Sequence, residues 1–341
     1  MVPVNIGVVG LGPMGLDLLK VVLENRKTHL HAICDANAVT LEEAKQQLSG
    51  DVVAYDDYAN LLAASDIDAV VIATPQFLHA DMTIAGLQAG LHVFCEKPMA
   101  MNVQECQRMI DAAERSDKCL MIGQVLRYIS VYRYVLEQAQ SGELGHPIAM
   151  RTVRSSGHWG KPWLTPWRLR RETSGGMLPE VNVHEIDLMV NIMGDARSVS
   201  ALGGNYTYPE VDYEDFVNIQ IQFANGGIGS VTSGCCDFVG QNSGEVYLDR
   251  GTIVYDGLAR QVHVGRVGSD KEVLAYKDIY PDAENGVARE IREFIEACLG
   301  EHPVTIPGQD GMRALEVCEA AYLSIREGRR VDLPLRGHEN L

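Results

Sequence analysis

At 341 residues the chain is too long for one ordinary hydrophobic core and suits two domains; 46% hydrophobic and 22% charged residues are enough to fill both cores. A formal net charge of −17 repels nucleic acid and anionic membrane, so both are excluded as partners, and the charge itself reads as solubility. No apolar run is long enough to span a bilayer, and the strand starting at Val4 leaves no room for a secretory signal. Cys34, Cys95, Cys106, Cys119, Cys235, Cys236, Cys298 and Cys318 show no Cys-x-x-Cys spacing, so reduced packing cysteines, no metal and a cytoplasmic location are expected.

The first predicted element is a buried strand, Val4–Val9, feeding Gly10-Leu11-Gly12-Pro13-Met14-Gly15. A helix must leave the third glycine, and its apolar face is assigned to Leu16, Leu18, Leu19, Val22 and Leu23. In this order the first glycine makes a tight turn, the second lets a pyrophosphate approach the backbone, and the third lets helix and strand pack closely. The free N–H groups of the helix N-terminus then face phosphates, which makes Gly10, Gly12, Pro13, Met14 and Gly15 cofactor-binding candidates. A second strand, Leu30–Cys34, ends in Asp35, twenty residues past Gly15, where a carboxylate accepts hydrogen bonds from ribose hydroxyls. No cation follows Asp35 before Lys45, so a 2′-phosphate has no partner there and NAD is favoured over NADP.

Further strands are expected at Val52–Tyr55, Ala69–Ala73, His92–Phe94 and Leu120–Ile122, with helical periodicity at Leu41–Leu48, Ala80–Ala89 and Val103–Ala113. That alternation predicts an α/β Rossmann domain with a doubly wound parallel sheet, closing near Gly123, so that residues 1–123 and 124–341 form two domains. Ligands of such sheets bind at the carboxyl ends of the strands. Thr74-Pro75, with His79, follows the fourth strand and Glu96-Lys97-Pro98 follows the fifth, so His79, Glu96 and Lys97 are placed towards the nicotinamide half of a cofactor. The plainer reading makes Lys97 a solvated loop lysine beside Glu96.

A helix from about Tyr128 to Gln140 leads out of the first domain. Strands then follow at Ile148–Ser155, Val217–Phe223, Gly229–Cys235, Gly244–Leu248, Thr252–Tyr255 and Gln261–Val264, as in a large, mostly antiparallel sheet. Helices are expected at about Pro179–Met193, Val287–Cys298 and Met312–Glu327. On the first of these Glu180, His184 and Asp187 share one face, so the Glu180 carboxylate can fix the tautomer of His184 and raise its basicity. A half-buried histidine tied to a glutamate for stability fits the same pattern. The stretch His158–Arg168 carries all three tryptophans; Trp163 and Trp167 offer faces for a sugar, and His158, Arg168 and Asn182 offer hydroxyl partners, while a tryptophan-anchored connection between the domains fits the same stretch.

Gly10-x-Gly12-x-x-Gly15, Thr74-Pro75 with His79, Glu96-Lys97-Pro98, and Gly175-Gly176 followed by Glu180 and His184 occur in the order and spacing of one family. The chain resembles, over essentially its whole length, the glucose–fructose oxidoreductase / inositol dehydrogenase / rhizopine-catabolism family of NAD(P)-dependent oxidoreductases. The resemblance implies a C-terminal α/β domain that binds substrate and whose open sheet forms a subunit interface, hence a homo-oligomer, dimer or tetramer. It also implies a cofactor role for Thr74, Pro75 and Gln124, and a substrate role for Arg127. The implied reaction is hydride transfer between NAD and a secondary alcohol of a sugar, polyol or inositol, with His184 as base and Lys97 stabilising negative charge on the same oxygen. Glu180 departs from the pattern, since many relatives carry aspartate there. Two other activities fit this resemblance: an NAD-dependent glycosidase using transient oxidation, and a non-catalytic dinucleotide-binding regulator.

Overall fold

The structure is a computed structural model and describes residues 3–63, 66–155 and 165–335. His158 and Trp163, expected to meet substrate, lie outside the described residues. The chain begins β1 (Val4–Val9), α1 (Pro13–Glu24), β2 (Thr28–Cys34), α2 (Ala38–Gln46), β3 (Val53–Tyr55), α3 (Tyr58–Leu62), β4 (Ala69–Ile72), α4 (His79–Gln88), β5 (His92–Glu96), α5 (Val103–Ser116) and β6 (Leu120–Gly123). These strands form a six-stranded parallel sheet in the order β3-β2-β1-β4-β5-β6. The order reverses between β1 and β4, and at such a switch point neighbouring crossovers diverge and leave a crevice at the carboxyl edge. The apolar face of α1 is narrower than expected: Gly15, Leu18, Leu19 and Val22 are buried, whereas Leu16 is 40% and Leu23 52% exposed. Seven residues separate those two leucines, which places them together on one flank of the buried stripe, about a quarter turn from its centre.

After β6 come α6 (Ser130–Gln140), β7 (Pro147–Ser155) and the short α7 (Arg171–Ser174). The expected helix at Pro179 instead opens with a π-turn, Leu178–Asn182, that runs into α8 (Val183–Met193). Then follow β8 (Ala196–Gly204), β9 (Phe216–Phe223), β10 (Ile228–Gly234), β11 (Gln241–Leu248), β12 (Gly251–Asp256), β13 (Gln261–Arg266), β14 (Glu272–Ala275), α9 (Gly286–Cys298), α10 (Gly308–Glu327) and β15 (Val331–Asp332). The second sheet has nine strands in the order β14-β13-β12-β11-β7-β10-β9-β8-β15. Its neighbours are antiparallel except β7 and β10, which run parallel. Strands β8, β14 and β15 extend it beyond the strands read from the sequence.

The chain divides into two compact units: one holds the residues up to Val125 together with Glu284–Met312, the other Leu126–Ala283 and the chain from Arg313 onward. The chain crosses between the units three times, first between Val125 and Leu126. Helix α9, read from the sequence as a late helix, belongs to the first unit. Its Phe294 is fully buried and meets Phe94 of β5 edge to face, with ring centroids 5.7 Å apart. Lys27 reaches Glu296 at 3.1 Å and Glu301 at 2.7 Å, and the Ile122 N–H donates to Ile306 O at 3.0 Å along the free edge of β6. Phe294→Ala removes a buried aromatic ring and is expected to destabilise the protein by about 3–5 kcal/mol. A chemical-denaturation midpoint left unchanged by Phe294→Ala would show that α9 is not part of this core.

Candidate active site

The turn after β1 is built backbone on backbone. Gly10 has φ +85°, and a Cβ there would lie 2.7 Å from the carbonyl of Ala73, just past β4. A Cβ on Gly15 would lie 1.8 Å from Gly10 O, so only glycine lets α1 start this close to the turn. Gly12 differs: a Cβ there meets nothing within 4 Å, and its φ of −66° is open to any residue. No contact among the described residues therefore calls for glycine at this position, whereas a pyrophosphate lying on the backbone would. Gly12 also caps α1 without a side-chain hydrogen bond, and Pro13 occupies the first helical turn, which leaves first-turn N–H groups for an anion. Asp35 closes the far side. Its Oδ2 accepts from Leu11 N–H at 2.7 Å and its Oδ1 from Asn37 N–H at 2.8 Å. The carboxylate is thereby pinned against the glycine turn, with lone pairs left over for ribose hydroxyls. Gly12, Asp35 and the α1 terminus together fit a dinucleotide.

At the ends of β4 and β5 the chain makes two facing turns. Thr74 is half-buried, and its Oγ1 donates to Met82 Sδ at 3.5 Å. His79 opens α4 with its ring 1% exposed, Nδ1 lying 2.8 Å from Pro98 O and Nε2 2.9 Å from Thr74 O. Those contacts set both ring nitrogens against backbone carbonyls of the two turns. Glu96 is buried, its Oε2 accepting from the backbone N–H of Lys97 at 3.0 Å, and Lys97 itself is half-buried. Gln124, after β6, is buried as well. Sequence reasoning passed over Gln76, which is 2% exposed and has no partner among the described residues for either its amide oxygen or its amide nitrogen. Its place beside Thr74-Pro75 was visible, but nothing in the sequence distinguished it from a solvated turn glutamine.

In the second unit the double glycine shapes the start of the π-turn. Gly176 has φ +86°, and a Cβ there would lie 2.6 Å from the Tyr322 hydroxyl, which accepts from Leu178 N–H at 2.9 Å. The guanidinium of Arg171 lies 4.0 Å from the centre of the Tyr322 ring, and burial pushes the phenol pKa up. Helix α8 is buried on nearly every side, yet it carries two acids with no exposure, Glu185 and Asp187. Each meets an arginine. Arg154 donates to Glu185 at 2.8 Å, and this charge raises the Arg154 pKa. Arg127 grips Asp187 with two bonds, at 2.7 and 2.6 Å, so the guanidinium expected to meet substrate holds the helix. Glu180 accepts from Arg168 Nε at 2.8 Å, and the Arg168 guanidinium lies 4.2 Å from the centre of the Trp167 ring. Asn182 is completely buried; its Oδ1 accepts from Ser233, while its Nδ2 has no partner among the described residues. His184 is 6% exposed.

The glycines make separable predictions. Gly12→Ala should leave the melting temperature unchanged while weakening NADH binding, measured by fluorescence titration. Gly15→Ala should lower the melting temperature outright, because its Cβ has no room. Unaltered NADH affinity in Gly12→Ala would remove this turn from the cofactor site.

Residues 4–124 match the family described as "Oxidoreductase family, NAD-binding Rossmann fold", and residues 137–333 match its C-terminal alpha/beta domain. A myo-inositol 2-dehydrogenase of Thermotoga maritima is 28% identical over 343 residues, covering 96% of this chain and 98% of that protein. A 1,5-anhydro-D-fructose reductase of Ensifer adhaerens is 26% identical, covering 80% and 82%. The WlbA dehydrogenase of Bordetella pertussis, solved with NADH and UDP-GlcNAcA, superposes with a TM-score of 0.88 at 22% identity, covering 98% and 99% of the two chains, and shares the fold. The chain belongs to the GFO/IDH/MocA oxidoreductase family and carries its NAD-binding Rossmann domain.

Proposed function

We propose that the protein reversibly oxidises a secondary alcohol of a sugar, polyol or inositol. The observation that carries this reading is the carboxyl edge of the six-stranded sheet, where a glycine required by no contact among the described residues and a half-buried lysine follow strand ends of one unit. The full-length relative named as a myo-inositol 2-dehydrogenase supports the substrate class. NAD, held by the glycine turn and Asp35, would supply the hydride acceptor for the carbinol carbon. The hydroxyl proton must leave as well, and His184 takes it; an unassisted alkoxide is far uphill near neutral pH. Lys97 donates a hydrogen bond to the same oxygen and offsets its growing negative charge. Asp35 with its neighbouring backbone favours NAD over NADP, since it offers a 2′-phosphate a carboxylate instead of a cation. Thr74, Pro75, Gln76 and Gln124 complete the cofactor set, and Trp167, Arg168 and Asn182 the substrate set.

Glu180 works through Arg168 in this reading, holding the guanidinium for a substrate hydroxyl. The protein acts in the cytoplasm as a homo-oligomer. Leu202, Ile228 and Tyr247 lie on one face of the nine-stranded sheet by register and are 78%, 59% and 42% exposed, which supports that face as the contact. Among the described residues no helix is long and apolar enough to cross a membrane.

The deciding experiment is a panel of sugars, polyols and inositols with NAD and with NADP, followed by absorbance of the reduced cofactor. Lys97→Ala and His184→Ala should each lower turnover about 10²-fold or more on the substrate found. Near-normal turnover of His184→Ala would refute its role as base, and release of free sugar without net NADH would point to the glycosidase. Glu180→Asp keeps the charge and shortens the reach, so the KM should rise about 10-fold with a smaller change in kcat, as for a lost ground-state contact. A fall confined to kcat would return Glu180 to the orientation of His184.

A further inference from the structure

The His79 ring bridges two turns through atoms that can only accept. Pro98 O lies 2.8 Å from Nδ1 and Thr74 O lies 2.9 Å from Nε2. A neutral imidazole has one N–H, so one of these contacts would set a ring lone pair against a carbonyl lone pair. At 1% exposure no bulk water relieves that repulsion. Both contacts become hydrogen bonds only when both nitrogens carry protons.

We infer that His79 is a positioning residue held as a buried imidazolium, donating from both nitrogens to tie the turn after β4 to the turn after β5. The surroundings fit a single cation there. Neither the turn Thr74–Leu78 nor the turn Pro98–Asn102 contains an ionisable side chain. Strand β5 supplies Glu96, buried and of opposite charge, and Lys97 next to it. On α4 itself the nearest acid in sequence, Asp81, is exposed and pairs with Arg108 of α5 at 3.6 Å. The two carbonyl dipoles point their negative ends at the ring and offset the charge.

The clamp matters because of what each turn holds. Thr74 backs the glycine turn, where a Cβ on Gly10 would lie 2.8 Å from Thr74 N, and Pro98 follows directly on Lys97. One ring thus sets the spacing between the support of the dinucleotide turn and the backbone that carries Lys97. The catalytic consequence rests on the role proposed for Lys97; the protonation state does not.

The test uses the full-length protein labelled with 15N-histidine, with His79→Asn identifying the His79 signal. Nitrogen-resolved NMR at pH 8, where an ordinary histidine of pKa about 6.5 is neutral, should show both His79 ring nitrogens protonated. A His79 ring with one bare nitrogen at pH 8 overturns the inference. In kinetics, His79→Asn keeps at most one of the two bonds and should lower kcat about 10- to 100-fold with little change in KM, because misplacing a reacting group by about 1 Å costs up to that much. Unchanged kcat in a folded His79→Asn also overturns it. If Lys97→Ala were silent the reading of the reaction would fail, while the NMR result would still decide the state of His79; if His79→Asn does not fold, a His79→Gln protein supplies the assignment and the kinetics.

Discussion

The candidate site depends on how closely three backbone segments approach one another. The carbonyl of Gly10 sits where a side chain on Gly15 would have to begin, and the backbone of Ala73–Thr74 sits where one on Gly10 would begin. With those gaps closed, β1, the start of α1 and the end of β4 form one rigid piece at the switch point of the sheet. The direction of α1, the place of its free N–H groups and the reach of Asp35 to Leu11 follow from that packing. A methyl group at either glycine would force the three segments apart and misplace every donor aimed at a phosphate.

The second unit positions its polar groups by another means. Helix α8 has almost no solvent-facing side, so its acids cannot be left to water; an unpaired buried carboxylate is strongly destabilising. Arg154 and Arg127 answer Glu185 and Asp187, and Arg168 answers Glu180. These pairs contribute little net stability over an apolar core, but they fix the rotation of the helix that carries His184. The first unit achieves precision by removing side chains, the second by pairing charges.

Much of the first unit was legible because its central strands are buried on both faces and read as apolar runs between turn signals; β4, Ala69–Ile72, is buried at every position. The glycine motif and the turns after β4 and β5 were legible for the same reason, since they lie in register with those strands. What escaped notice is set by distant partners. Strand β8, Ala196–Gly204, is rich in small residues and glycine and gains its identity from pairing with β9 and β15. The π-turn at Leu178–Asn182 depends on the hydroxyl of Tyr322, far along the chain, so helical spacing alone could not show that Glu180 would meet Arg168. The apolar face of α1 is narrower than its leucine content suggests, because Leu16 and Leu23 fall off the 3.6-residue stripe that Leu18, Leu19 and Val22 define.

The return of α9 to the first unit has a consequence for synthesis. A ribosome releases the glycine turn, Asp35 and Lys97 early, but the helix that covers Phe94 is made nearly two hundred residues later. Until then the nascent sheet carries an uncovered aromatic face, and the free edge of β6 lacks the strand-like segment at Ile306 that hydrogen-bonds to it. The cofactor-binding unit therefore cannot complete itself while the chain is being made from its N-terminus, and the long wait exposes a surface suited to holdase chaperones.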